Sequence, residues 1–555
     1  MNQFSSKRSV QILGHILQQY GISKAIISPG SRNAPLAIHF SSLEEMDCYS
    51  IVDERSAGFV GLGMAKFLNN PVVLSCTSGS AVVNYYPAIV EAFYANIPLL
   101  VITADRPSHF VDVFDGQTIR QNNVFQQHSC GNFNLLEDDE PTADEQNFEM
   151  IKQAIELCIE KKSPVHINIP LSEPLYEYVS ELPLFPEIQP KQEEKTYEIP
   201  KKLIEKWQKA EKILILTGTL SKNKELENYL KSLAENQLVV VLTEMNSNLH
   251  NAHFFPHIDR YFFNLKECDL EKFNPDLLIT IGQNVVSKKV KEFLRKAKPD
   301  EHWHIDPYWQ PDTYFCLTEK VNAHPEIFFC QLLKKIDLIP RKYYQFWDKK
   351  RSKLEGVHQQ YCQNVDFSDF KVYDILKSEI PENYHIHFSN SSVIRYAQLF
   401  KFNESHDYHC NRGVSGIDGS TSTAMGYAML SSRPTLLITG DLSFFYDING
   451  LWNQYIPATT RIIIINNGGG DIFRIIPGPN SAQVVNELIA TQHNRNAEDL
   501  AKSFGLDYHK VDSENGFRKI LTPFFSPSER PKVLEINTSD INNAEYLKEY
   551  SKNMI

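Results

Sequence analysis

Two short polar clusters, Gly440-Asp441-Leu442-Ser443 and Asn466-Asn467-Gly468-Gly469-Gly470-Asp471-Ile472-Phe473, each close an apolar run. The runs, Leu436-Leu437-Ile438-Thr439 and Arg461-Ile462-Ile463-Ile464-Ile465, have the composition of buried strands. Adjacent parallel strands would bring Asp441 and Asn467 out at one edge of a sheet, the edge where open α/β sheets bind ligands. One carboxylate, one amide oxygen and a glycine-rich backbone make a hard oxygen site. Such a set suits Mg²⁺, or Mn²⁺, that keeps phosphate oxygens as its other ligands. Gly, Asn and Asp also make plain solvated turns. Two matched halves, each behind an apolar strand, favour the cation site.

A second candidate is Glu54, in Ser50-Ile51-Val52-Asp53-Glu54-Arg55-Ser56-Ala57-Gly58, ahead of a small-residue helix, Ala57 to Ala65. An acidic residue there serves the helix dipole in any protein. A carboxyl held against an apolar ring can also share a proton. Gly58, Gly61 and Gly63 run in the reverse order of a dinucleotide fingerprint and fall inside the helical pattern, so close helix packing is expected of them. A third group is cationic or hydroxylic: Ser31 and Arg32 in Ser28-Pro29-Gly30-Ser31-Arg32-Asn33-Ala34-Pro35-Leu36, Arg106 in Thr103-Ala104-Asp105-Arg106-Pro107, Lys288 with Lys289, and Ser391 with Arg395. Each follows a strand. Arginine grips carboxylates with two parallel hydrogen bonds, so in an acidic protein a converging positive pocket implies a substrate with several carboxylates.

The elements that must position these groups are short apolar runs alternating with helical stretches, the pattern of parallel sheets with crossover helices. Strands are expected at Ala25–Ile27, Val72–Leu74, Leu99–Ile102 and Val165–Ile169, then at Ile213–Leu216, Val239–Leu242 and Leu277–Ile281. A last set falls at His385–Phe388, Leu436–Thr439, Ile462–Ile465 and Val533–Ile536. The stretch Leu182 to Lys202, rich in Pro, Glu and Lys, reads as a linker, and a charged, aromatic stretch near Pro340 to Lys353 leads into the last block. The 555 residues suit about three domains of roughly 150 residues. We place them at 1–182, 195–338 and 354–555. A formal charge of −12 argues against nucleic acid or anionic membrane as partner. The nine cysteines are scattered without a Cys-x-x-Cys, as in a reducing cytoplasm. No apolar run nears the roughly 18 residues of a membrane span, and the N-terminus lacks a signal-peptide core.

The split motif, Gly-Asp-x with Asn-Asn further on, resembles the diphosphate-binding motif of thiamine diphosphate enzymes. Ser-Pro-Gly-Ser-Arg-Asn-Ala-Pro-Leu, Thr-Ala-Asp-Arg-Pro and Ser-Gly-Ile-Asp-Gly narrow this. Together they resemble the 2-succinyl-5-enolpyruvyl-6-hydroxy-3-cyclohexene-1-carboxylate synthases of menaquinone biosynthesis. The resemblance runs along the whole chain, weakest in the middle block. It implies an α/β fold of three domains with parallel sheets flanked by helices, namely a pyrimidine-binding, a central and a diphosphate-binding domain. It implies a homodimer or homotetramer with active sites between subunits, and a transferase acting on 2-oxoglutarate and isochorismate with thiamine diphosphate and Mg²⁺ or Mn²⁺.

Residue by residue, the resemblance makes Glu54 the partner of the aminopyrimidine ring nitrogen and Ile417 the apolar wedge that bends the coenzyme. Asp441, Asn467 and a backbone carbonyl near Gly469 become the metal ligands, with Gly440, Leu442 and Ser443 around the diphosphate. Arg32, Arg106 and Arg395, with Ser31, Lys288, Lys289 and Ser391, hold substrate. Gln117 lies near the reacting carbon, and Ile472 and Phe473 wall off water. Lys289 stands where some relatives have arginine and Gly116 where one has asparagine, which alters substrate contacts and leaves the reaction class intact. The alternatives are another thiamine diphosphate-dependent 2-oxo acid lyase, such as an acetolactate synthase or a decarboxylase, a non-catalytic binding protein on the same fold, and a flavin or nucleotide redox protein. The last lacks a Gly-x-Gly-x-x-Gly in the middle block.

Overall fold

The computed structural model describes residues 3–138, 142–190, 196–475 and 484–554. Three parallel sheets flanked by helices organise the chain. The first has six strands in the spatial order Asp47–Ser50, Lys24–Ile27, Val72–Cys76, Leu99–Asp105, Val165–Pro170 and Gly131–Asn134. The second has five: Val240–Leu242, Ile213–Thr217, Leu277–Ile281, Glu301–Ile305 and Glu319–Val321. The third has six: Asp407–His409, His385–Phe388, Thr435–Gly440, Arg461–Asn466, Lys532–Asn537 and Asp507–Val511. Every strand expected from the sequence is present. The unforeseen ones are short or polar: edge strands such as Asp47–Ser50 and Asp507–Val511 lack the two-sided apolar burial that betrays a central one, and the internal Glu301–Ile305 is hidden by its Glu and two His.

The chain divides into two compact units. One comprises residues 1–192, 413–435 and 443–460. Its sheet buries alternate residues on opposite faces: Ala25, Val73, Leu100 and Ile102 enter one core, Ile26, Leu74, Leu99 and Val101 the other. Each of the Val, Leu and Ile side chains among them stabilises the fold by about 1.5–3 kcal/mol through burial. The helix Glu54–Leu68 packs on the helix Ser420–Leu430 at backbone contact. A Cβ on Gly63 would lie 2.1 Å from the Thr423 carbonyl oxygen, and one on Gly426 would lie 2.0 Å from that of Val60. The Gly58, Gly61, Gly63 series is therefore a packing device, as its position inside a helix suggests.

The other unit comprises residues 193–412, 436–442 and 461–555 and holds the second and third sheets around one large core. The stretch near Pro340 to Lys353 is mostly helix: Lys342–Asn364 is a single 23-residue element that buries Tyr343, Tyr344 and Trp347. Of the expected linker, residues 191–195 lie outside the described residues, 182–190 and 196–200 carry no helix or strand, and its last two residues instead open the helix Lys201–Lys209.

Candidate active site

Asp441 and Asn467 leave adjacent parallel strands, paired in register from Leu436 with Arg461 to Gly440 with Ile465. Asp441 opens the helix Asp441–Tyr446 and is 2% exposed. Its Oδ1 accepts a hydrogen bond from the Leu442 amide at 2.6 Å and its Oδ2 one from the Gly469 amide at 2.9 Å. The Gly440 amide donates to Ser389 Oγ at 3.3 Å. Gly469 has φ +140°, and a Cβ there would meet the Ala490 carbonyl oxygen at 2.6 Å, so only glycine lets the loop turn its backbone into this space.

The donor set fits a divalent cation. Asn467 donates its Nδ2 to Asp369 Oδ2 at 2.9 Å, while its Oδ1 is buried with no hydrogen-bond partner among the described residues. An orphaned buried carbonyl costs about 1–3 kcal/mol, and a cation would remove that cost. Among the described residues no cluster of three or more His, Cys, Asp or Glu side chains is placed to hold a metal ion. A cation here would therefore rest on one carboxylate, one amide oxygen and backbone, leaving positions for phosphate oxygens. Two neighbours escaped the sequence reading. His493 Nδ1 accepts from the Arg495 amide at 3.1 Å, and its Nε2 lies 3.4 Å from Asp441 Oδ2. Asp369 has its carboxyl pushed up to about 7, first by burial and further by the charges of Asp471 and Asp441, against hydrogen bonds from Thr538 and Asn467. Ile472 is buried at the start of the helix Ile472–Ile475, and Phe473 lies half-buried against Gly470.

In the unit holding the first sheet, Asp53 is the N-cap of the helix Glu54–Leu68, accepting from the Arg55 and Ser56 amides at 2.9 and 3.3 Å. Asn449 donates to its other oxygen at 2.8 Å. Capping is thus done by Asp53, and Glu54 is left with one long hydrogen bond, from Asn84 at 3.4 Å. Ile417 is half-buried and outside the core, and its carbonyl accepts from Ser443 Oγ at 2.7 Å. The loop that carries it is anchored by Glu91, which takes the Gly413 and Val414 amides at 2.6 and 2.7 Å. Burial raises the Glu91 carboxyl above its ordinary range while those amides oppose the rise.

The strand-end loops of the first sheet converge. A Cβ on Gly30 would meet Thr77, and one on Gly79 would meet the backbone of Gln117. Arg32 is buried, donates to the Leu171 carbonyl at 2.8 Å and pairs with Glu173 at 3.1 Å. Burial first, then the charge of Arg106, lowers its guanidinium below the usual value. Arg106 pairs with Asp115 at 3.1 Å and donates to the Gly116 carbonyl at 3.2 Å. Ser31 shares a 2.8 Å hydrogen bond with Tyr176, and Gln117 is exposed with φ +57°.

In the other unit Lys288 and Lys289 open the helix Lys288–Ala297, and Glu244 clamps the turn before them through the Val286 and Ser287 amides at 2.6 and 2.7 Å. Burial pushes the Glu244 carboxyl up to about 7, against those two bonds. Ser391 is the N-cap residue of the helix Ser392–Ala397, at φ +70°, and Arg395 lies in that helix. Burial lowers the Arg395 guanidinium, opposed by Asp259 and assisted by Arg412. Arg412, which the sequence reading passed over, donates to Asn390 at 2.7 Å, while its buried Nε has no hydrogen-bond partner among the described residues. Lys291 is a further unforeseen cation, lowered to about 8 chiefly by burial. A cavity of 360 Å³ lined by Glu244, His250, His257 and Arg260 contains none of the residues proposed from sequence.

Three family models match the chain. The N-terminal TPP binding domain of thiamine pyrophosphate enzymes covers residues 8–130, the middle domain 185–385, and the C-terminal TPP binding domain 391–536. Curated relatives align end to end. One from Flavobacterium johnsoniae is 44% identical over 548 residues, 98% of each chain. One from Christiangramia forsetii is 43% identical, covering 95% of this chain and 96% of its own. One from Phocaeicola vulgatus is 36% identical, covering 99% and 98%. All three carry the name 2-succinyl-5-enolpyruvyl-6-hydroxy-3-cyclohexene-1-carboxylate synthase. This chain belongs to that synthase family. It is a thiamine diphosphate-dependent enzyme of three-domain α/β architecture.

Within the family frame, the residues the sequence reading missed share a trait. Asp369, Glu91, Arg412 and His493 act on other residues of the site, and each has an ordinary sequence context. Asp369 follows Ser368 at a helix start, where an acid is unremarkable. Only Arg412 carried a usable signal, being next to the Gly413 to Gly419 loop. Among the described residues no helix is long and apolar enough to cross a membrane.

Proposed function

We propose that this chain decarboxylates 2-oxoglutarate and adds the resulting succinyl unit to isochorismate. The products are 2-succinyl-5-enolpyruvyl-6-hydroxy-3-cyclohexene-1-carboxylate and carbon dioxide, in a step of menaquinone biosynthesis. The observation that carries the reading is the clamp of Asp441 and Asn467 on adjacent strands, with an orphaned amide oxygen where a cation would sit. Asp441, Asn467 and the backbone at Gly469 would hold Mg²⁺ or Mn²⁺, and Gly440, Leu442 and Ser443 would line the diphosphate. Thiamine diphosphate, when bound, supplies the electron sink that loss of carbon dioxide from a 2-oxo acid requires.

The chain's own residues do the rest. Glu54, not consumed by capping, holds or moves a proton at the pyrimidine ring nitrogen. Ile417 would offer the coenzyme an apolar support from a loop that Glu91 keeps in place. Arg32 and Arg106, with Ser31 and Gln117, and Arg395 with Ser391, Lys288 and Lys289, receive the carboxylates of the two substrates. Ile472 and Phe473 exclude water. In this reading residues 1–182 bind the pyrimidine, 195–338 form the central domain and 354–555 bind the diphosphate and metal. The enzyme works as a homodimer or homotetramer in the cytoplasm, each active site joining two subunits.

Purified protein with thiamine diphosphate and Mg²⁺ is expected to release carbon dioxide from 2-oxoglutarate and to form the carbon–carbon bond only when isochorismate is added. Turnover of pyruvate in preference to 2-oxoglutarate would overturn the assignment and favour another 2-oxo acid lyase.

A further inference from the structure

Asn467 offers a cation its Oδ1 only if its amide is turned the right way. The oxygen and nitrogen of an amide occupy nearly the same space, and only hydrogen bonding tells them apart. A flipped Asn467 would aim an NH₂ group at the cation. What prevents the flip is Asp369. Its Oδ2 accepts from Asn467 Nδ2 at 2.9 Å, and its Oδ1 accepts from Thr538 Oγ at 2.6 Å. Both Asp369 oxygens are engaged and the residue is 1% exposed, so it acts on the site through Asn467.

Asp369 is also fixed from behind. Its amide donates to Asn543 Oδ1 at 2.8 Å, and Asn543 Nδ2 donates to the Thr538 carbonyl at 3.2 Å. The ring Asp369, Thr538 and Asn543 thus closes on itself and presents a single acceptor to Asn467. Asp369 is the first residue of the helix Asp369–Glu379, behind the N-cap Ser368, where a carboxylate is favoured by the helix dipole. We propose that Asp369 is a positioning residue that sets the direction of the Asn467 amide and so points its Oδ1 at the cation of the diphosphate clamp. The inference rests on Asn467 being a metal ligand, as proposed above.

The test is Mn²⁺ affinity, read by electron paramagnetic resonance on the full chain saturated with thiamine diphosphate. Partners of a metal ligand typically contribute 10–100-fold in affinity. Asp369→Ala is expected to weaken Mn²⁺ by about tenfold or more. Asp369→Asn, which keeps one acceptor for Asn467 while Thr538 rotates to accept from the new NH₂, is expected to restore most of that loss. Thr538→Val, which frees one side of Asp369 and preserves volume, is expected to give a smaller loss and carries the test if Asp369→Ala does not fold. In an Asn467→Ala background, Asp369→Ala is expected to cause no further loss. Unchanged Mn²⁺ affinity in folded Asp369→Ala, or fully additive losses in the double variant, would overturn the proposal while leaving the clamp intact. If Asn467→Ala itself binds Mn²⁺ normally, the clamp reading fails first and the inference with it.

Discussion

Replacing Asp441 by alanine isolates the cation clamp. The residue is 2% exposed, and its side chain supplies the one formal negative charge among the proposed protein donors. Removing a mere partner of a metal ligand costs about 10–100-fold in affinity. Removing the charged ligand is expected to cost about 1000-fold for Mn²⁺, roughly 4 kcal/mol at 1.4 kcal/mol per tenfold. The same change frees the Leu442 and Gly469 amides, which now donate to the carboxylate at 2.6 and 2.9 Å. The phosphate-facing backbone would lose its brace along with its cation, so thiamine diphosphate affinity should fall in step with Mn²⁺ affinity. Titration of Mn²⁺ by electron paramagnetic resonance, and of thiamine diphosphate by quenching of intrinsic fluorescence, reads both quantities on one preparation. Circular dichroism of the cofactor-free protein checks folding. A folded Asp441→Ala variant that binds the two ligands with unchanged affinity would refute the clamp.

Glu54→Gln is expected to lower turnover by about 100-fold or more, the usual scale for lost acid–base assistance, with thiamine diphosphate binding preserved; a near-normal rate would remove Glu54 from the chemistry. Arg395→Ala should raise the Michaelis constant of one anionic substrate by about tenfold or more, and steady-state kinetics showing an equal loss for thiamine diphosphate would contradict its assignment to substrate. Gly63→Ala places a methyl 2.1 Å from the Thr423 carbonyl oxygen and is expected to destabilise by about 1–3 kcal/mol in denaturant unfolding, whereas Gly356→Ala, with open space around it, should be neutral or stabilising. Glu244 has its folded carboxyl raised to about 7 from an ordinary 4.5. The folded state therefore binds the extra proton between those values, and its contribution is full below about pH 4.5 and lost as pH rises through about 7. The loss is on the order of 3 kcal/mol, and Glu244→Gln should flatten that part of the stability profile; an unaltered profile would show that Glu244 does not titrate there.

The central strands, the placement of Asp441 and Asn467 at adjacent strand tips and the packing glycines were legible in the chain because each is a local signal. An unbroken apolar run such as Arg461–Asn466 is buried on both faces, and the residue at its tip must reach the ligand-binding edge whatever surrounds it. The polar edge strands were not legible, since Asp47–Ser50 and Asp507–Val511 are partly exposed and carry no such run. The division of labour at the start of the helix Glu54–Leu68 was also hidden, because two adjacent acids suit a helix N-terminus equally until hydrogen bonds show that Asp53 takes the capping amides.

Sequence by itself determined the family and the two strand-end loops that carry Asp441 and Asn467, because motifs and strand tips are properties of short segments. Tertiary structure alone decided which groups steer those residues. Asp369 reaches Asn467 across 98 residues and Glu91 reaches Gly413 across 322. Contacts over such separations arise only when strands and helices have taken their places, so a hydrogen-bonded brace leaves no trace in the spacing of the residues that form it.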